Sequence, residues 1–225
     1  MRPIKTLLAD DHTIVREGLR ALLLADGGIE VVAEARNGRE AVDLAIALRP
    51  DVVVMDIAMP LLNGLEATRQ ILAAVPGTKV LILSAHSDDA YIDRVIAVGA
   101  VGFLIKQTSA QILDNAIHTV MEGKTFYSPQ VEKRVREHYQ KPDKPGRLII
   151  KNGTSLTSRE LEVIQLVAEG QANKQVAAGL KISIKTVEKH RQHLMDKLNI
   201  HDTAGLTRYA ISRGIIESSV QVTIV

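Results

Sequence analysis

The chain of 225 residues contains no cysteine. Disulfides, thiol catalysis and cysteine-based zinc sites are therefore excluded, and a reducing cytoplasm is the expected compartment. No uncharged stretch approaches the length needed to cross a bilayer, so no membrane partner is expected. The stretch from Met1 to Lys5 leads into a strand and soon meets acids at Asp10 and Asp11, leaving too short an apolar segment for a signal peptide. Internal repeats and low-complexity tracts are also lacking. Net charge is only +2, but this small sum hides an asymmetry. Residues 1–124 hold 12 basic against 16 acidic residues, net −4, whereas 125–225 hold 16 against 10, net +6. A basic second half suits a polyanionic partner, and the length exceeds that of a usual single domain, which points to two.

In the first half, short apolar runs at 4–9, 30–35, 51–56, 79–84 and 101–105 alternate with amphipathic segments near 13–25, 38–48, 64–74, 88–98 and 109–121. Nearly continuous apolar runs are what strands buried on both faces require, and the alternation predicts an α/β domain of (βα)5 type with a parallel sheet. Asn37, with Glu40 three residues on, predicts the cap of the second helix. A short charged helix is expected at about 129–140. The prolines and glycine of Lys141-Pro142-Asp143-Lys144-Pro145-Gly146 mark a linker between domains.

Polar residues close four of the apolar runs: Asp10-Asp11, Asp56, Ser84 and Lys106. In a parallel sheet the carboxyl ends of the strands share one edge, and open α/β folds bind ligands there. Three carboxylates gathered at that edge repel one another and suit a hard divalent cation, of which Mg²⁺ is the expected one. A lysine and a hydroxyl beside it supply what a phosphoryl group needs. An Asp-Asp pair, a strand-end lysine or a serine is by itself usually solvated surface, and it is their conjunction that carries weight. Gly123-Lys124-Thr125 is not a phosphate loop, because His118 stands where that motif requires glycine.

This combination, with Met59-Pro60 and Gly64 downstream of Asp56 and Ala85 after Ser84, resembles the receiver domain of two-component response regulators over roughly residues 1–122. The resemblance implies a flavodoxin-like fold with strand order 2-1-3-4-5. It further implies that Asp56 is the phosphoacceptor, with Mg²⁺ held by Asp10, Asp11, Asp56 and the carbonyl of Ala58. Ser84 and Lys106 correspond to groups that contact phosphoryl oxygens, and Phe103 to the aromatic switch. Drawing Ser84 toward the phosphate would vacate space for Phe103 to turn inward. Gly64 suits a turn entering the third helix. Gln107 departs from the proline found there in many receivers.

In the second half, Thr157 and Glu160 form a capping box ahead of an amphipathic helix that Gly170 closes. A helix from about Asn173 to Gly179, a tight turn at Lys181-Ile182-Ser183 and a third helix capped by Ser183 make a helix-turn-helix. At 100° per residue Val187, Leu194 and Leu198, with Arg191 nearby, face inward. Lys185, Lys189, Gln192 and Asp196 face outward, with Glu188 and His193 on the flanks. The outward residues nearest the N-terminus are types that read base edges. His190 and His193 could share a metal by spacing, but with no cysteine or acid pair nearby His190 is read as packing at the core edge.

Leu156-Thr157, Arg159-Glu160, Asn173-Lys174, Val176-Ala177, Thr186-Val187, His190 and Lys197-Leu198 resemble the LuxR-type helix-turn-helix over roughly residues 154–217. The whole chain thus resembles a NarL/FixJ-type response regulator. The resemblance implies base reading by Glu188, Lys189 and Gln192, beside the exposed Lys185, and phosphate contacts from Asn173, Lys174, Thr186 and Lys197. Position 188 is commonly basic in that family and is Glu here. A helix near Thr203 to Ser212 would be the dimerisation element. The expected partners are a sensor histidine kinase, double-stranded DNA and a second copy of the chain, with RNA polymerase a further candidate.

The expected domains are a receiver at 1–124, a linker at 125–153, a small all-α helix-turn-helix domain at 154–217 and a frayed tail at 218–225. A phosphorylation-controlled DNA-binding transcriptional regulator, not an enzyme, is the leading functional expectation. A metal-assisted phosphate hydrolase is disfavoured because Ala58 stands two residues after Asp56, where a second acid or base to activate water is wanted. A regulator that works without phosphorylation is compatible with the same residues.

Overall fold

The computed structural model describes residues 2–85, 89–129, 131–133 and 156–216. The chain divides into two compact units, residues 1–151 and 152–225, each described by itself.

In the first unit the strands are β1 (Ile4–Ala9), β2 (Ile29–Ala35), β3 (Val52–Asp56), β4 (Lys79–Ser84), β5 (Gly102–Ile105) and β6 (Phe126–Tyr127). They form one parallel sheet in the order β2-β1-β3-β4-β5-β6. The helices between them are α1 (Thr13–Asp26), α2 (Gly38–Leu48), α3 (Gly64–Ala74), α4 (Asp89–Ala97) and α5 (Lys106–Met121). Strand alternation divides the core in two. Leu7, Ala9, Val53, Met55, Ile82 and Phe103 pack toward α2, α3 and α4, while Leu8, Val52, Val54, Leu83 and Leu104 pack toward α1 and α5. Both faces are covered, which accounts for the continuous apolar runs.

The predicted order 2-1-3-4-5 is present, with a sixth strand beyond β5. Two residues are too few for a periodic signal, and β6 forms because β5 offers an open edge: Phe126 and Ser128 N–H donate to the carbonyls of Val101 and Phe103 at 3.1 and 3.0 Å. These residues fall within the stretch expected to be linker. Residues 129 and 131–133 are helical, and residues 130 and 134–140 of the helix expected at about 129–140, together with the linker at 141–146 and the tail at 218–225, lie outside the described residues. Helix α5 begins at Lys106, three residues before the amphipathic pattern, because its first residues are polar and carry no period.

The second unit contains α6 (Ser158–Ala168), α7 (Asn173–Leu180), α8 (Ile184–Leu198) and α9 (Thr203–Ser212) around a core that includes Val163, Val167, Val176, Val187, Leu194 and Leu206. The predicted capping box is present: Glu160 N–H donates to Thr157 Oγ1 at 3.3 Å and Thr157 N–H to Glu160 Oε2 at 2.8 Å. Gly170 takes φ +84° just past α6, a left-handed conformation that favours glycine.

Gly64 has a different reason to be glycine from the one its sequence context suggests. It does not adopt a positive φ. A Cβ on it would overlap the carbonyl oxygen of Asp56 and crowd the Cα of Ile57 at 3.0 Å, so the bare Cα lets α3 close against the end of β3. Gly18, on the exposed face of α1, has nothing within 4 Å of such a Cβ. Gly64→Ala should therefore lose about 1–3 kcal/mol or more through overpacking. Gly18→Ala should gain about 0.5–1 kcal/mol from the lower helical cost of alanine. Denaturant melts of the two variants beside the wild type measure both; a neutral Gly64→Ala would refute the close approach.

Candidate phosphoacceptor pocket and nucleic-acid interface

The carboxyl edge of the sheet gathers the predicted polar residues. Asp10 follows β1, Asp56 and Ser84 end β3 and β4, and Lys106 opens α5 directly after β5. Asp10, Asp56 and Ser84 are buried, while Asp11 lies at the rim. Lys106 Nζ stands 2.8 Å from Asp56 Oδ2 and 2.9 Å from Asp10 Oδ2, bridging the two acids. Apart from these ion-pair contacts, both Oδ2 atoms are buried without a hydrogen-bond partner. Ligating atoms of Asp10, Asp11, His12 and Asp56 all lie within 4.8 Å of one another. Convergent, under-satisfied carboxylate oxygens are the donor set of a hard divalent cation, so the cluster fits one.

The loops hold this geometry. His12 N–H donates to Asp10 Oδ1 at 2.8 Å, an aspartate turn that bends the chain from β1 into α1. After β3, Gly64 N–H returns to the carbonyl of Ile57 at 2.9 Å, with Leu61 at φ +67° in between. Such a conformation costs a non-glycine residue about 1 kcal/mol or more and is tolerated where surroundings over-determine it. Ala58 lies in this loop, two residues past Asp56. Phe103 is fully buried, packed in the core beside α4, so its ring already points inward without any modification of Asp56.

His12 joins this cluster, and its adjacency to the acid pair is the one sign of that in the residue order. Its Nδ1 lies 2.8 Å from Asp11 Oδ1. Arg16 is buried, and its position on an amphipathic helix carries no sign of that burial.

Burial is the largest influence on Asp56 and, with the charges of Asp10 and Asp11, outweighs Lys106, raising its pKa from 3.8 to about 6. Burial alone would lower the pKa of Lys106, but the charge of Asp56 and hydrogen bonds to both acids raise it.

In the second unit the residues expected to meet nucleic acid separate into two groups. Lys185, Glu188, Lys189, Gln192 and His193 are exposed and line one shallow depression along α8. Lys174 is exposed on the second residue of α7. The others are engaged in the scaffold. Arg191 Nη1 donates to Asn173 Oδ1 at 2.8 Å and Nη2 to Thr203 Oγ1 at 2.9 Å, tying α8 to the starts of α7 and α9. Thr186 Oγ1 lies 2.8 Å from Ser183 Oγ, within the cap of α8. Lys197 Nζ donates to Glu160 Oε2 at 2.7 Å. Burial would raise the pKa of Glu160, but Lys197 and the Thr157 cap together lower it. Arg159 donates to the carbonyl of Leu180 at 3.0 Å, closing α7, and to Glu162 at 2.7 Å. Thr157, Arg159 and Glu160 thus join α6, α7 and α8. His190 is half-buried near Arg159 and Glu160, and its pKa is lowered, mainly by burial and then by the Arg159 charge.

A doubly covered parallel sheet with an acid-lysine pocket at its carboxyl edge, followed in the chain by a helix-turn-helix, defines a two-domain regulator whose second domain is of a DNA-binding type. Residues 6–118 match the family model for the response regulator receiver domain, and residues 154–210 that for bacterial regulatory proteins of the luxR family. The chain belongs to the response regulators of NarL/FixJ type, transcriptional regulators with a receiver domain and a LuxR-type DNA-binding domain. It is 35% identical over 225 residues to the transcriptional regulatory protein DegU of Brevibacillus brevis, covering 95% of each chain. To the oxygen regulatory protein NreC of Staphylococcus carnosus it is 35% identical, over 95% of this chain and 100% of that protein. Among solved structures it is similar to the response regulator ChrA of a heme-sensing two-component system, at 33% identity and TM-score 0.51, covering 96% of this chain and 100% of ChrA.

The raised pKa of Asp56 has a consequence for stability. The folded state holds the Asp56 proton more tightly than the unfolded chain does, so its contribution is favourable below about pH 4 and is lost as pH rises to about 6. Some two units correspond to about 3 kcal/mol, which the ionised group costs at neutral pH. In EDTA at pH 7.5, Asp56→Asn should be more stable than wild type by about 1–3 kcal/mol, and the gap should close at pH 4. Thermal melts at both pH values test this, and a variant less stable than wild type at pH 7.5 would contradict it.

Proposed function

We propose that Asp56 accepts a phosphoryl group from a sensor histidine kinase or a small phosphodonor, and that this controls DNA binding by the second domain. The observation that carries the reading is the buried Asp56 carboxylate held between Lys106 and the Asp10-Asp11 pair at the sheet edge. An Asp56 oxygen attacks phosphorus, the bond to the donor nitrogen or oxygen breaks, and the leaving group departs with the electron pair. Lys106 and Ser84 receive the phosphoryl oxygens. Mg²⁺, held by Asp10, Asp11, Asp56 and the Ala58 carbonyl, would neutralise charge that develops there. The product is an aspartyl phosphate that serves as a signal, so the chain is a switch with slow chemistry of its own and not an enzyme. Because Phe103 is already buried, the switch would act by moving Ser84 and repacking around the ring, not by carrying the ring in from solvent.

For the second domain, we propose that α8 enters the major groove with Lys185, Glu188, Lys189 and Gln192 toward the bases, in a homodimer formed through α9 on two-fold related half-sites. Lys174, Asn173, Thr186 and Lys197 are assigned to the phosphates. Of these Lys174 is exposed, whereas Lys197 would have to be shared with Glu160. RNA polymerase is a further partner in this reading, and the cytoplasm is the compartment. Among the described residues no helix is long and apolar enough to cross a membrane.

Intact-mass spectrometry after incubation with acetyl phosphate and Mg²⁺ should show one added phosphoryl group on wild type and none on Asp56→Asn. Equal labelling of both would refute the acceptor assignment.

Lys189→Ala should weaken binding to a selected DNA site by about 1–3 kcal/mol and relax preference at one base. Lys174→Ala should weaken binding to all sequences alike and flatten the salt slope by about one unit. Titrations on selected and random DNA at several salt concentrations measure both. If Lys189→Ala weakened binding to both DNAs equally, Lys189 would not be a base-reading residue.

A further inference from the structure

Arg16 plays no part in the chemistry assigned to the pocket, yet its placement is unusual. It sits on α1, a helix with an exposed face, and is only 4% exposed. Its Nε donates to Glu34 Oε2 at 2.8 Å, and its Nη1 donates to the main-chain carbonyl of Asp10 at 2.8 Å. Glu34 lies on β2 and also meets Arg20 at 3.5 Å. The rest of the Asp10 backbone is held as well, with its N–H on the Ala35 carbonyl at 3.1 Å. The carbonyl that Arg16 grips belongs to the peptide joining Asp10 to Asp11. With that plane prevented from rotating, the directions in which the two neighbouring carboxylates leave the chain are set relative to each other.

We propose that Arg16 is a positioning residue for the divalent-cation site: acting through the Asp10 carbonyl, it holds the Asp10-Asp11 peptide so that both carboxylates face one ion, and Glu34 anchors the guanidinium. This rests on the reading of the pocket as a Mg²⁺-dependent acceptor site. A buried guanidinium beside such a site has two opposing effects. As a positive charge it repels the cation, so its removal tightens binding. As a positioning group it orders the ligands, so its removal loosens binding. The sign of the change separates the two.

Isothermal titration calorimetry with MgCl₂ on the full chain provides the test, with circular dichroism melts of the same samples. Arg16→Met should weaken Mg²⁺ binding about tenfold or more, the usual size for losing a group that orients a metal ligand. Arg16→Lys should restore part of this, since an ammonium replaces the charge but not the two-armed fork. Glu34→Gln, which keeps the guanidinium but weakens its charge-assisted anchor, should cost about two- to threefold. Val120→Ala, which opens the core between α1 and α5 away from the pocket, should lower stability and leave Mg²⁺ affinity at the wild-type value. Equal or tighter Mg²⁺ binding by Arg16→Met, or an equal loss in Val120→Ala, overturns the positioning role while leaving the pocket reading intact. Should Arg16→Met fail to fold, unchanged affinity in both Arg16→Lys and Glu34→Gln overturns it in the same way. A wild-type chain that takes up neither Mg²⁺ nor a phosphoryl group overturns the pocket reading and this proposal with it.

Discussion

The contact on which the receiver depends is the Lys106 ammonium set between two buried carboxylates, 2.8 Å from Asp56 and 2.9 Å from Asp10. One cation between two buried anions, with a third acid at the rim, leaves negative charge that burial makes costly. The rise in the Asp56 pKa to about 6 is the direct expression of that imbalance. A stable scaffold with an under-neutralised centre is well suited to take up a cation, because the cation meets carboxylate oxygens that the free pocket leaves under-satisfied. The surrounding fold tolerates this centre because its two apolar cores lie on either side of the sheet and do not depend on it.

The same edge constrains the backbone around it. Gly64 lets α3 press against the Asp56 carbonyl, Leu61 turns through a left-handed conformation, and the Asp10 carbonyl is gripped by Arg16. Strand β5 carries Phe103 on one side of the sheet and delivers Lys106 at its end. On its outer edge it accepts the backbone of β6, so the chain leaving α5 is hydrogen-bonded to the strand that bears the buried Phe103. Ser128 continues that pairing by donating to the Phe103 carbonyl at 3.0 Å.

In the helix-turn-helix domain, polar residues serve two purposes that sequence position does not distinguish. Glu160 caps α6 and receives Lys197, Arg159 closes α7, and Arg191 binds Asn173 and Thr203. These contacts tie together the four helices of the domain around their apolar core. Lys185, Glu188, Lys189 and Gln192, by contrast, stay exposed along one side of α8. Gln192 bonds Asp196 at 2.8 Å, which orients its amide on that side.

Much of this was legible in the residue order. Nearly continuous apolar runs marked the strands, the period of 3.6 marked the helix from Ile184 to Leu198, and the parallel topology brought Asp10, Asp56, Ser84 and Lys106 to one edge. These are local or topological properties, and local sequence carries them. What only the tertiary structure decided depends on distant partners. Phe126 and Tyr127 become a strand because β5 has a free edge, Gly64 is needed because the Asp56 carbonyl lies against it, and Arg16 is buried because Glu34 and the Asp10 carbonyl receive it. Lys197 looks like a free cation until Glu160, 37 residues earlier, is brought beside it. A residue's own spacing reports which face of an element it lies on; whether that face meets solvent, a carbonyl or a counter-charge is set by what the fold places opposite.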